Sequence, residues 1–256
     1  MSPDGTGVAG AVREERVLEA LATVRDPELD EPITTLGFVE AVEAGAAGVE
    51  VSLRLPTYFC APNFAWLMVA DAKAAVGRVA GGPDRVTVRL VDHFAADTIN
   101  RGVEAGGGFQ GAFGVEAGGE LDELRAIFQR KAYTMRQERV CRALLAAGRT
   151  PAELARMTLA DVPGGDDTDQ YLTRRAELGL DLSASAPFLV TAEGGPVPAE
   201  ALAQHLRTAR IVRVSVEGNA AFCSGMLRTR YGLPPGVEPL DEPTVRRRDH
   251  VQEVAR

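Results

Sequence analysis

The chain has 256 residues, 45% hydrophobic and 25% charged, the make-up of an ordinary globular protein with one large domain or two small ones. No apolar run reaches membrane-spanning length and residues 1–10 lack a basic-then-apolar signal pattern, so a cytoplasmic protein without a membrane partner is expected. The net charge of −8 is uneven: residues 1–120 hold 9 Lys/Arg against 18 Asp/Glu, and residues 121–256 hold 19 against 18. Phosphate contacts need local positive charge, so the first half is not expected to bind nucleic acid.

Residues 1–10 read as a lead-in. A first helix is expected from about Val12 to Val24, with Val17, Leu18, Leu21 and Val24 on one face. Asp26-Pro27 ends it, because the residue before a proline avoids the helical region. Asp26 and Glu28 put two carboxylates beside this turn, as a solvated loop or as part of a site. Strands are expected over Leu36–Val42 and Val49–Leu55, joined into a hairpin by Gly45-Ala46-Ala47-Gly48. A long apolar helix runs from Phe64 to about Ala80, where Gly81-Gly82-Pro83 breaks it. A third strand, Val86–Val91, stops at Asp92-His93-Phe94, and a short helix runs from Ala95 to Val103. This order makes residues 11–104 a two-layer αβ domain.

Residues 105–119 read as a glycine-rich linker; their glycines match neither P-loop nor dinucleotide spacing. Glu120–Ala147 reads as an amphipathic helix in which Cys141 packs, and Thr150-Pro151-Ala152-Glu153 as the capping box of a short helix reaching Leu159. A helical piece, Tyr171–Leu178, follows the loop from Pro163 to Asp169. Beyond it are expected a strand at Phe188–Thr191, a helix at Pro198–Ala209, a strand at Ile211–Val216 and a last helix, Ala220–Arg230, capped by Asn219. Residues 120–233 are thus a mostly helical segment with a small C-terminal αβ unit, and 234–256 a flexible tail whose Arg246-Arg247-Arg248 is solvated. The fold class is α+β.

Three cysteines, odd in number and far apart, do not form a secreted disulfide framework. Cys60 stands between the second strand and the long helix, where Pro62 and Asn63 are helix-start signals. A thiol there faces the positive end of a helix dipole, which favours the thiolate that binds metal or attacks; the plain alternative is a small buried hydrophobe. Cys223, in the first turn of the last expected helix, repeats that geometry, although Phe222, Met226 and Leu227 around it also fit a core face. There is no CxxC, HExxH, GxSxG, P-loop or GxGxxG. The three histidines, His93, His205 and His250, stand in no register with a nucleophile, so no enzyme is expected.

Three stretches in order resemble the PaaD-like and SufT-like domain of the iron–sulfur cluster assembly superfamily. Asp26-Pro27-Glu28-Leu29 is similar to the family's D-P-E-L turn, Thr35-Leu36-Gly37-Phe38-Val39 to its S-L-G-L-V, and Thr57-Tyr58-Phe59-Cys60-Ala61-Pro62 to its T-x-x-C-P. The resemblance covers residues 14–104. Two departures stand out: Ala61 separates Cys60 from Pro62, and Asp92-His93-Phe94 replaces the family's P-P-W.

The resemblance implies an αβ domain that assists maturation of iron–sulfur or related iron proteins, with Cys60 as the reactive cysteine and Asp26 and Thr57 lining the same site. Long versions of the family accompany bacterial di-iron monooxygenases, which makes such a system a candidate client. The expected function is a maturation factor that holds iron or a labile iron–sulfur cluster on Cys60 and delivers it to a client metalloprotein. Clusters normally take about four ligands, so Cys223, a homodimer, an external thiol, another assembly protein or the client would supply the rest. Glu28, His93 and Asn63 are supporting candidates. The alternative is an assembly chaperone or adaptor that binds no metal.

Overall fold

Alternation builds the sheet. In the computed structural model, which describes residues 12–114 and 118–233, Val49, Val51 and Leu53 of one strand and Val86, Val88 and Leu90 of another are buried on a shared face. Three strands form it, β1 (Val39–Ala44), β2 (Val49–Arg54) and β3 (Val86–Val91), in that spatial order. β1 pairs antiparallel with β2, with a register shift between Val39 and Ala41; β2 pairs parallel with β3, Val51 opposite Val88 and Leu53 opposite Leu90. The hairpin turn closes through Gly45 N–H to Gly48 O at 2.9 Å. Gly48 has no substitute: its φ is +151° and an added Cβ would lie 2.6 Å from Arg85 O.

A parallel pair needs a crossover, and α2 (Pro62–Ala80) supplies it. Its buried residues run from Ala65 through Trp66, Leu67, Met68 and Val69 to Ala80, as expected of a helix between other helices and a sheet. Pro62 opens the helix and left-handed Gly81 closes it. α1 (Glu14–Leu21) packs on α2, and α3 (Ala96–Ala105) on α2 and β3. The first helix is shorter than its apolar pattern foretold, and the first strand starts at Val39 because Leu36 and Phe38 sit in the preceding turn.

The chain divides into two units by its internal contacts. The first comprises Met1–Asp26, Glu31–Ala117 and Cys223–Arg256, the second Pro27–Asp30 and Gly118–Phe222. Within the glycine-rich segment, α4 (Gly108–Phe113) is helical, and its Phe109 and Phe113 rings stand edge-on to Trp66 at 5.6 and 6.2 Å. That helix was not legible in the composition, because the ring its two phenylalanines contact, Trp66, lies far earlier in the chain. The expected lead-in over 1–10 and the tail 234–256, with Arg246–Arg248 and His250, lie outside the described residues.

The second unit is built on α5 (Gly118–Ala146), α6 (Pro151–Leu154), α7 (Asp166–Glu177) and the larger part of α8 (Ala199–Tyr231). The Thr150 capping box forms as read, with Glu153 N–H donating to Thr150 Oγ1 at 3.3 Å and Thr150 N–H to Glu153 Oε2 at 2.6 Å. Tyr133, Tyr171 and Phe188 pack together in the core, Phe188 edge-on to Tyr171, and buried Arg175 donates to the carbonyls of Asp181, Pro187 and Phe188. Asp30 is buried between two cations: Arg136 Nε donates to its Oδ2 at 2.6 Å, and Arg174 pairs with its Oδ1.

The C-terminal elements correct the expectation. Phe188, Leu189 and Val190 are buried, but the segment forms no ladder: it holds an isolated bridge, Val190 to Pro196, and separate hydrogen bonds such as Phe188 N–H to Met157 O at 2.9 Å. Ile211–Val216 is helix, not strand, and Asn219 caps nothing; α8 runs unbroken through both. The β-branched run favours a strand locally, but Leu202, Ala209 and Val216 are buried at seven-residue spacing, which only a helix puts on one face. Arg213 adds an ion pair to Glu217 one turn on, and another to Glu138 of α5 at 2.5 Å.

Candidate functional site

Strand β2 delivers the chain to Leu55, and residues 55–61 turn it into α2. Cys60 therefore stands one residue before the N-cap, Ala61, as the sequence pattern implied. The turn is held by Thr57, whose Oγ1 accepts the Phe59 N–H at 3.2 Å and lies 3.3 Å from Cys60 Sγ. Either atom of that last pair is able to donate; a thiolate sulfur would accept the threonine proton. Cys60 is half-buried. Asn63, the second helical residue, accepts the Phe64 N–H at 2.9 Å, which satisfies one of the free amides of the first turn.

His93 arrives from the other side, on the turn after β3. Its Nε2 is 2.7 Å from Cys60 O, and Ala95 N–H donates to its Nδ1 at 3.2 Å. A carbonyl only accepts, so Nε2 carries the proton and Nδ1 the lone pair. Burial lowers the His93 pKa, the Cys60 hydrogen bond opposes this, and the charge of Arg230 lowers it further. Both ring nitrogens are engaged, so His93 in this arrangement fixes the Cys60 backbone rather than offering a metal a ligand.

Around the thiol the two turns carry aromatic rings. Phe94 N–H donates to Tyr58 O at 3.1 Å, and the Tyr58, Phe59 and Phe94 rings lie 5.0 to 6.4 Å apart. Phe59 is 77% exposed and Phe94 50%. Aromatics make up 5% of the chain, so three of them in two short turns is a signal of this rim that the sequence itself carries.

The remaining candidates divide. Asp26 is buried in the connection between α1 and β1, its N–H donating to Glu31 O at 3.0 Å. Glu28 falls in the second unit, where Asn219 Nδ2 donates to its Oε1 at 3.2 Å. Cys223 is half-buried inside α8, 24 residues past the helix start, so it lacks the helix-terminal setting that recommended it. Burial and then the charge of Glu138 push the Cys141 thiol up to about 12, which suits the packing role read for it. Among the described residues, no group of three or more His, Cys, Asp or Glu side chains is placed to hold a metal ion.

Residues 14–90 match the model of a family described as iron–sulfur cluster assembly protein. The matched segment contains Asp26, Glu28, Thr57, Cys60 and Asn63, and ends before His93 and Cys223. No curated protein and no solved structure matches the chain. Among the described residues, no helix is long and apolar enough to cross a membrane.

Proposed function

We propose that this chain is an iron–sulfur cluster assembly factor of the PaaD-like and SufT-like kind, acting in the cytoplasm as a carrier rather than an enzyme. Its cargo, iron or a labile cluster, is held by the Cys60 thiolate and passed to a client metalloprotein. The observation that carries this reading is the setting of Cys60: a half-buried thiol fixed by Thr57 just ahead of a helix N-terminus, inside the matched segment. Soft thiolates suit such cargo, but a cluster takes about four ligands. The chain's described residues assemble no group of three, so a second copy, another assembly protein, an external thiol or the client supplies the others. Open coordination of this kind favours release. Residues 11–104, with the end of α8 from Cys223, are the carrier and 120–222 hold the client, for which a multicomponent di-iron oxygenase is our candidate. Cys223 is a secondary ligand candidate, and Asp26, Glu28 and Asn63 are supporting residues.

The test is anaerobic reconstitution with iron and sulfide, read by visible absorption and metal content, for wild type, Cys60→Ala and Cys223→Ala. Colour lost only with Cys60→Ala supports a single-thiol carrier; colour lost with both supports a shared site. A second reading, an adaptor without metal, draws on the exposed Tyr58, Phe59 and Phe94 rings beside so sparse a donor set. Absence of iron in every form, with client maturation intact in Cys60→Ala, would establish the adaptor instead.

A further inference from the structure

We propose that Arg230, in the last turn of α8, is a positioning residue of the Cys60 site. The proposal rests on the reading of Cys60 above, but Arg230 lies far outside the segment that matches the assembly family. β2 and β3 run parallel and end side by side, Arg54 opposite Val91. The next residues, Leu55 and Asp92, begin the two turns that carry Cys60 and His93. Where the ladder stops, the carbonyls of these residues need donors from elsewhere. Arg230 gives one to each: Nη1 donates to Leu55 O at 3.1 Å and Nη2 to Asp92 O at 2.6 Å. A planar guanidinium with two separate amino groups spans both acceptors at once, whereas an ammonium presents a single point of charge.

Below this rung the same turns are joined twice more, by Phe94 N–H to Tyr58 O and by His93 Nε2–H to Cys60 O. Asp92 sits at φ +51°, a conformation that non-glycine residues adopt at a cost, and its carbonyl is the one Arg230 holds most closely. Arg230 is itself fixed from behind. Its guanidinium and that of Arg54 lie 5.2 and 4.6 Å from the Tyr231 ring centroid, and Leu227, 2% exposed, packs against Gly37. Arg230 thus sets where the two turns that carry Cys60 and His93 lie relative to each other.

The experiment uses the full chain without metal, in a Cys223→Ser background, with Arg230→Met and Arg230→Lys compared against Arg230. Iodoacetamide alkylation at fixed pH is followed at Cys60, and at the buried Cys141 as the reference for global unfolding. Arg230→Met is expected to speed Cys60 alkylation about tenfold, the scale of local opening when a charge-assisted hydrogen bond is lost, and to leave Cys141 as protected as in the parent. Arg230→Lys should restore only part of the protection, since it can donate to one carbonyl but cannot span both. A folded Arg230→Met protein whose Cys60 alkylates as the parent's does overturns the proposal; should Arg230→Met not fold, unchanged alkylation in Arg230→Lys overturns it equally. Failure of wild type to load iron would sink the carrier reading and leave this outcome standing on its own.

Discussion

Asp30→Asn removes one charge from the most buried ionic cluster of the second unit. Asp30 is 3% exposed and Arg136 1%, with Arg136 donating from Nε to Oδ2 at 2.6 Å and from Nη2 to Asp30 O at 2.5 Å, while Arg174 pairs with Oδ1. Asparagine has the same shape and tolerates the φ of +54° at this position, so the backbone stays in place. What changes is that two buried cations lose their shared carboxylate, and the new amide turns a donor toward an arginine donor. Removing one partner of a buried pair costs roughly 3–5 kcal/mol. The lower end applies, because Arg136 keeps the Asp30 carbonyl and Arg174 keeps Glu177. With a urea slope of about 2 kcal/mol per molar for a unit of this size, the midpoint should fall by about 1.5 M. Trp66, the one tryptophan of the chain, lies in the first unit, so its fluorescence reports that unit, and the far-UV ellipticity change that the fluorescence does not share follows the helices of the second. An ellipticity midpoint that moves by less than about 0.3 M, well under the shift the slope implies, would refute the view that this charge is needed where it is buried.

His93 makes stability depend on pH in a defined direction. Burial and the Arg230 charge hold its folded pKa below the ordinary value of 6.5, so the unfolded chain takes up the proton more readily. Its contribution is complete above pH 6.5 and is lost as the pH falls from there through the lowered folded value; His93→Gln should flatten the part of the pH–stability curve below 6.5 that His205, also lowered by burial, does not explain. An unchanged curve in that variant would contradict the assignment. Gly102→Ala should destabilise the first unit by roughly 1–3 kcal/mol through overpacking, although alanine is the better helix former. Its Cβ would meet Ala112 Cβ at 2.5 Å and the Trp66 ring at 2.6 Å, so a shifted Trp66 emission is the accompanying readout.

Much of the first unit was legible because its signals are local. Alternation at Val49–Arg54 and Val86–Val91, Pro62 opening a helix and the Gly45–Gly48 turn each act over a few residues, and the three motif stretches led to Cys60 and Thr57 in the same way. The aromatic rim was present in the sequence as well, but its meaning depends on bringing the turn at Tyr58 and Phe59 against the turn at Phe94. The C-terminal elements show the opposite case. Ile211–Val216 carries a strand's local preference, yet the burial of Leu202, Ala209 and Val216 along one face and the pairing of Arg213 with Glu138 settle it as helix.

The sequence by itself determined the hairpin, the crossover helix, the third strand and a thiol at a strand-to-helix junction, since short-range sterics and apolar period decide these. Only the tertiary structure decided that His93 holds the Cys60 carbonyl, that Arg230 bridges Leu55 and Asp92, and that Cys223 is interior to a helix. The reason is physical: a donor 138 residues from its acceptor leaves no local pattern in the chain, because the partners meet only after both strands and the long helix are in place.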